Sequence, residues 1–167
     1  MSIREIGFGD LEMELSTTRK TLEQVPDDKL GWKPHEKSFS LGQLAAHMAN
    51  LMEWGVMILH TDELDLSQPF PPNDDPTSTA HILATFDEKS AAWVAAMGQA
   101  TDEQMLGTWK LKMGEQVLTA FPRAGNLRSF VLSHLIHHRA QLGVYLRLLD
   151  IPVPSTYGPS ADENPFA

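Results

Sequence analysis

Apolar residues recur along this chain at spacings of three and four over four separate stretches, the pattern of helices that each bury one side. The first runs from about Gly9 to Gln24, with Phe8, Leu11, Leu15, Thr18, Leu22 and Val25 in phase, and Pro26-Asp27-Asp28 ends it. Glu12 and Glu14 read there as solvated surface charges. The second runs from Leu41 to about Leu59, opened by Ser40 and Gln43 as a capping box. Its apolar face collects Leu44, Met48, Leu51 and Ile58, with Trp54 at the margin. A third spans about Thr79 to Gln99, with Ile82, Phe86, Trp93 and Met97 on the buried side and Leu83 and Val94 flanking. The fourth is a run without a helix breaker from about Gly125 to Leu149. Leu127, Val131, His134, His138, Leu142, Tyr145 and Leu149 share one face of it at roughly 100° per residue. Arg139 then falls toward solvent or an interface. Phe130, His137, Val144 and Leu148 form a second, narrower apolar edge suited to self-association or to covering by neighbouring chain.

The segments between these helices carry less pattern. Residues Lys29 to Phe39 form a connector in which Pro34 forbids helix, Trp32 covers an end of the core and His35 is exposed. A Pro-rich loop, about Thr61 to Ser78 with Pro69, Pro71, Pro72 and Pro76, reads as a crossover, with closure over a site as the competing role. Asp102-Glu103-Gln104 opens a short extra turn. Thr108 to Met113 and Gln116 to Phe121 alternate around Gly114-Glu115, the pattern of a small β-hairpin, with an irregular loop as the competing reading. The tail from Pro152 to Pro165 is extended and contributes no core element. The prediction is an all-α bundle of four helices in one domain, residues 1–167, with a small hairpin before the last helix.

Composition narrows the function classes. The 167 residues contain no cysteine, which removes disulfides, thiolate metal sites and cysteine nucleophiles. Thirteen basic against 22 acidic side chains leave a formal charge of −9, which disfavours nucleic acid and anionic membrane as partners. The start Met1-Ser2-Ile3-Arg4-Glu5 lacks the apolar core of a secretory signal, and His47, Asn50 and Glu53 interrupt the most apolar run. A cytoplasmic location is the expectation.

The candidate chemistry is histidine. His134 and His138 lie one helical turn apart, a spacing at which two imidazoles share one metal ion. His47 lies within the apolar face of the second helix. An unpartnered buried imidazole costs on the order of 1–3 kcal/mol. A lone inward histidine is better explained by a carbonyl or water partner; a pair plus a third favours an ion. Three nitrogen ligands suit Zn or Ni and leave coordination positions open. His137, at the edge of the stripe, is the weaker candidate. Neither a Glu-x-x-His nor a His-Glu-x-x-His pattern occurs, which disfavours a di-iron carboxylate bundle and a zinc protease. Gln141, one turn from His138, is within reach as an outer partner, and Tyr145 on the same stripe is within reach of a metal-bound oxygen. For these two, and for Glu53 and Asn50 on the flank of the second helix, a packing or surface role is the favoured explanation, and no catalytic acid or base is assigned.

The run Leu30 to His47 (LGWKPHEKSFSLGQLAAH), the later run His134 to Arg147 (HLIHHRAQLGVYLR) and the tail Ile151 to Asp162 (IPVPSTYGPSAD) together resemble the DinB-like (YfiT-like) superfamily over nearly the whole chain. The resemblance implies an up-down-down-up four-helix bundle, commonly dimeric, with a divalent metal held by three histidines. On the family pattern these match His47, His134 and His138. Related members include metal-dependent transferases and isomerases that use low-molecular-weight thiols. The expected function is a metal-dependent enzyme, a thiol S-transferase or a hydrolase, acting on a small molecule as a homodimer. A non-catalytic metal-binding or sensing dimer is the first competitor, and a metal-free dimeric scaffold the second.

Overall fold

A computed structural model describes residues 1–69 and 75–166. The chain is mostly helical, with one small sheet. The helices are α1 (Ile3–Phe8), α2 (Leu11–Leu22), α3 (Leu41–His60), α4 (Thr79–Gln99), α5 (Asp102–Leu106), α6 (Arg123–Asn126) and α7 (His134–Leu148). Each of α2 and α3 packs against both α4 and α7. The six residues that give the first helix its phase, Phe8 through Val25, are all buried, as are Ile82, Phe86, Trp93 and Met97 of α4. The Trp93 ring lies flat against Gly55 of α3, where a Cβ would run into the indole. That close approach is what glycine permits at this helix crossing.

Helix α1 escaped the periodicity reading because it is too short to show a period. Its own capping box starts it: the Glu5 amide donates to Ser2 Oγ (3.2 Å) and the Ser2 amide to Glu5 Oε2 (2.6 Å).

The expected hairpin is present as β2 (Thr108–Met113) and β3 (Gln116–Pro122), paired antiparallel around Gly114, whose φ of 58° is a conformation glycine adopts freely. It is not a simple hairpin. A third strand, β1 (Glu63–Asp65), comes from the expected crossover loop and pairs parallel with β2, giving a mixed sheet in the order β1-β2-β3. The side chains of Asp65 and Glu63 make polar contacts there. The Asp65 carboxylate accepts from the Ser67 and Gly114 amides (2.9 Å each), and Lys112 pairs with Glu63 at 2.9 Å. Buried Arg123 ties the end of α3 to this sheet, donating to the carbonyls of Ile58 (3.0 Å) and Thr61 (2.8 Å). Pro71 and Pro72 of the same loop lie outside the described residues.

The last helix departs from expectation in two ways. A π-helical stretch, Leu127–Ser133, separates α6 from α7, so the run is not one uniform helix. In α7 the fully buried side is Leu135, Arg139, Leu142 and Leu146; His134, His138, Tyr145 and Leu149 are half-buried beside it. Arg139 is therefore not a solvent charge, and Glu14 of α2 is not one either. The two form an ion pair at 2.7 Å with each side chain only 3% exposed. The Glu14 carboxylate also accepts from the Tyr157 hydroxyl (2.8 Å), and the Arg139 guanidinium lies 5.3 Å from the centre of that ring. The tail thus covers a buried charge pair. It is itself pinned by Asp162, which pairs with Arg147 and accepts from the Val153 amide at 2.9 Å. Among the described residues no helix is long and apolar enough to cross a membrane.

Candidate metal centre

The start of α3 sets the rotation of His47. The Gln43 amide donates to Ser40 Oγ (3.1 Å) and the Ser40 amide to Gln43 Oε1 (3.0 Å), while the connector closes on the helix through Leu41 N–H to Trp32 O at 2.8 Å. Two turns on, His47 faces α7 between the fully buried Leu44 and Leu51. Across from it stand His134, the first residue of α7, and His138 one turn later. The structure brings all three together: one ring nitrogen from each lies within 4.8 Å of the others. Ring centres are 5.3 Å apart for His47 and His134, 4.7 Å for His47 and His138, and 4.5 Å for the pair on α7.

Hydrogen bonding decides which nitrogens are free. His138 Nδ1 lies 2.7 Å from Gln141 Oε1, and His134 Nδ1 lies 3.3 Å from the Phe130 carbonyl oxygen. Both neighbours are acceptors, so each Nδ1 carries the proton and each Nε2 keeps its lone pair. Those two Nε2 atoms face one another at 2.8 Å. Two lone pairs at that distance repel unless a proton or a cation sits between them. Ligand bonds of 2.0–2.1 Å in a tetrahedral set separate donor nitrogens by about 3.3 Å, so the pair has only to open by about half an ångström to share an ion. The support of each Nδ1 by an oxygen acceptor is the outer-sphere arrangement that fixes tautomer and ring orientation in histidine metal sites.

Burial lowers the His47 pKa to about 4, with His138 and His134 adding to the effect. Burial also lowers that of His138, against the opposing bond to Gln141. These two rings are therefore neutral near pH 7, the form in which imidazole serves as a ligand.

The remaining candidates separate clearly. The His137 ring lies 5.0 Å from that of His138, but the residue is exposed and outside the group of three. His35 is exposed in the connector, where its Nδ1 accepts from the Lys37 amide. Tyr145 donates its hydroxyl to the Phe39 carbonyl (3.3 Å) and meets Trp32 edge-on at 5.7 Å; Phe39 in turn lies 5.9 Å from His47. Tyr145 therefore builds the wall behind the histidines. Gln141 holds His138, as its spacing suggested.

Beside His47 and His134 opens a cavity of about 330 Å³, lined by Asn50, Leu51, Glu53 and Trp54 of α3, Leu111 of β2 and Phe130. Asn50 and Glu53, candidates from pattern alone, are both on its wall. Lys89 of α4 reaches them, donating to Asn50 Oδ1 and Glu53 Oε2 at 2.7 Å each. Lys89, Leu111 and Phe130 were not singled out as site residues. Nothing in the sequence tells that β2 or the π-helical stretch closes over α3. A wider groove of about 470 Å³ lies elsewhere, between α7 and the tail, and includes none of the three histidines.

The model of the DinB family matches residues 10–165. The uncharacterised protein YrdA of Bacillus subtilis (strain 168) is 28% identical over 152 residues, which cover 91% of this chain and 86% of that one. The uncharacterised protein YjoA of the same strain is 28% identical over 137 residues, covering 79% and 81%. A DinB-like protein of Bacillus cereus ATCC 10987 has the same fold, with a TM-score of 0.68 at 21% identity over 90% of this chain and 95% of its own. The crystal structure of YjoA gives 0.66 at 19% identity over 86% and 91%.

Proposed function

The chain belongs to the DinB family, and on that premise we propose that it is a metal-dependent enzyme whose single divalent ion, Zn or Ni, is held by His47, His134 and His138. The observation that carries the reading is the facing pair of Nε2 lone pairs at 2.8 Å, with both Nδ1 atoms engaged by oxygen acceptors. Three neutral imidazoles favour Zn or Ni over the ions that prefer carboxylate. When bound, the ion lowers the pKa of a coordinated water or thiol and so supplies a nucleophile at neutral pH, for hydrolysis in one case and S-transfer in the other.

The chain's own residues do the rest. Gln141 and the Phe130 carbonyl orient the two α7 rings, and Leu51, Trp54, Leu111 and Phe130 give the adjoining cavity an apolar wall. The cavity favours an enzyme over a sealed structural ion, because a substrate has room beside the ligands. The chain has no cysteine, so a transferred thiol arrives as a separate small molecule.

We read the fold as one domain, an up-down-down-up four-helix bundle of α2, α3, α4 and α7, acting in the cytoplasm on a small molecule. A homodimer is supported by the half-exposed Val144 (58%) and Leu148 (59%) on the outer edge of α7. The charge of −9 argues against nucleic acid or membrane as partner. Metal analysis of untagged protein tests the centre: near one ion per chain is expected, lost in His47→Ala. A content far below one, unchanged in that variant, refutes it. Turnover of thiol against ester substrates by the loaded protein separates transferase from hydrolase.

A further inference from the structure

The cavity beside the three histidines is charged in one place only. Its walls are Leu51, Trp54, Leu111 and Phe130, and beyond the histidines its polar side chains are Asn50, Glu53 and the indole N–H of Trp54, of which only Glu53 is charged. Asn50 is partly engaged: one amide hydrogen goes to the Ala46 carbonyl (2.9 Å) and its oxygen accepts from Lys89, so the group is held in place and carries no net charge. Glu53 is different. Lys89 takes Oε2, and the side chain is 58% exposed at the rim of the cavity. A carboxylate only accepts, so the group it recognises must donate. No lysine or arginine lines the cavity among the described residues. Lys89 stands behind the wall, 27% exposed, with two of its three N–H donors already given to Asn50 and Glu53. The net charge of −9 favours a cation over an anion at long range, and Glu53 offsets the opposing charge of an ion held by the histidines.

We propose that Glu53 is a specificity-determining residue, and that the cavity takes a small amine: an aromatic or branched apolar body seated among Leu51, Trp54, Leu111 and Phe130, with its ammonium on Glu53. This rests on the reading of the three histidines as the reactive centre and names the class of substrate brought beside it. The size fits a compact molecule. An apolar cavity of about 150 Å³ accepts benzene, so 330 Å³ holds roughly two groups of that size.

The test is calorimetric titration of metal-loaded protein with 2-phenylethylammonium and with 2-phenylethanol, which share one body and differ in charge. The ammonium should bind about fivefold more tightly at low salt, the size of effect a half-exposed ion pair supplies, and the preference should shrink at high salt. Glu53→Gln should erase it, and Lys89→Met, which leaves the carboxylate unshared, should enlarge it. Equal binding of the two probes overturns the proposal, as does a preference that survives in Glu53→Gln or falls in Lys89→Met. Ion content is measured on the same samples. Protein that holds no ion refutes the metal centre; protein that holds its ion but ignores the ammonium refutes only the substrate class.

Discussion

Replacing Arg139 by Met should be among the most damaging single changes in this chain. The guanidinium lies 2.7 Å from the Glu14 carboxylate, with both side chains 3% exposed. At an effective dielectric near 20, charges at that distance attract by about 6 kcal/mol. Desolvating the two ions costs several kcal/mol each, so the intact pair is close to neutral against an apolar pair of the same volume. Breaking it is another matter. In Arg139→Met the Glu14 carboxylate stays buried with the Tyr157 hydroxyl as its remaining side-chain donor, and such an uncompensated charge costs about 4 kcal/mol. Arg139 also donates to the Glu14 carbonyl (3.2 Å) and to Thr18 Oγ1 (3.3 Å), so the contact between α2 and α7 loosens with it. For a chain of this length the melting temperature should fall by about 10 °C. The double variant Glu14→Leu/Arg139→Met should recover most of that loss. Urea unfolding of the two single variants and the double gives the cycle directly, with a coupling of several kcal/mol expected. If Arg139→Met costs under about 1 kcal/mol, or the double variant loses the sum of the singles, the pair is not buried in solution as described.

Three further outcomes follow from other contacts. Gly55→Ala pushes a methyl into the Trp93 indole and should cost about 1–3 kcal/mol, read from the urea midpoint; a neutral effect would mean that the two helices separate freely at this crossing. The backbone bonds from Ser67 and Gly114, followed by the Ser67 hydroxyl and Lys112, hold the Asp65 carboxyl at about 2. A lowered carboxylate contributes stability that is complete above its unfolded pKa, near 4, and is lost as pH falls from there toward 2. A carboxyl NMR titration should therefore show a midpoint near 2, and one near 4 would show that those bonds do not persist. Gln141→Leu removes the acceptor on His138 Nδ1 and should weaken metal affinity by about 10- to 100-fold in a chelator competition, with the fold unchanged. Affinity equal to that of the parent would show that the ring needs no outer support.

The four long helices were legible because each buries one side over three turns or more, enough for a period to emerge. The capping box at Ser40 was legible for a local reason, since its partners are three residues apart. What escaped depends on contacts distant in sequence. Strand β1 is three residues long and becomes a strand only because β2, more than forty residues on, offers it an edge. The burial of Glu14 and Arg139 escaped for an energetic reason. Each charge taken alone belongs in water, and only the pair, 125 residues apart and covered by Tyr157, makes burial tolerable.

The misplacement of Arg139 explains why the stripe on the last helix was drawn off-centre, and why the histidines were nevertheless found. Excluding an arginine from the interior rotates the inferred buried face from Leu135, Arg139, Leu142 and Leu146 toward His134, His138 and Tyr145. The π-helical turn before His134 adds to the error, because bonds from i to i+5 advance the chain by less than 100° per residue and carry Leu127 and Val131 out of phase with α7. The pairing of His134 with His138 is insensitive to either mistake, since a spacing of four residues stacks two side chains whatever face they occupy. The half-buried position they do occupy suits the proposed metal centre better than the axis of the core would. A nitrogen at position 139 would meet α2 and no solvent, whereas one at 134 meets both His47 and the cavity walled by Trp54 and Phe130. The edge of the buried face is where an imidazole can be dry enough to stay neutral and open enough for the proposed ion to meet the cavity.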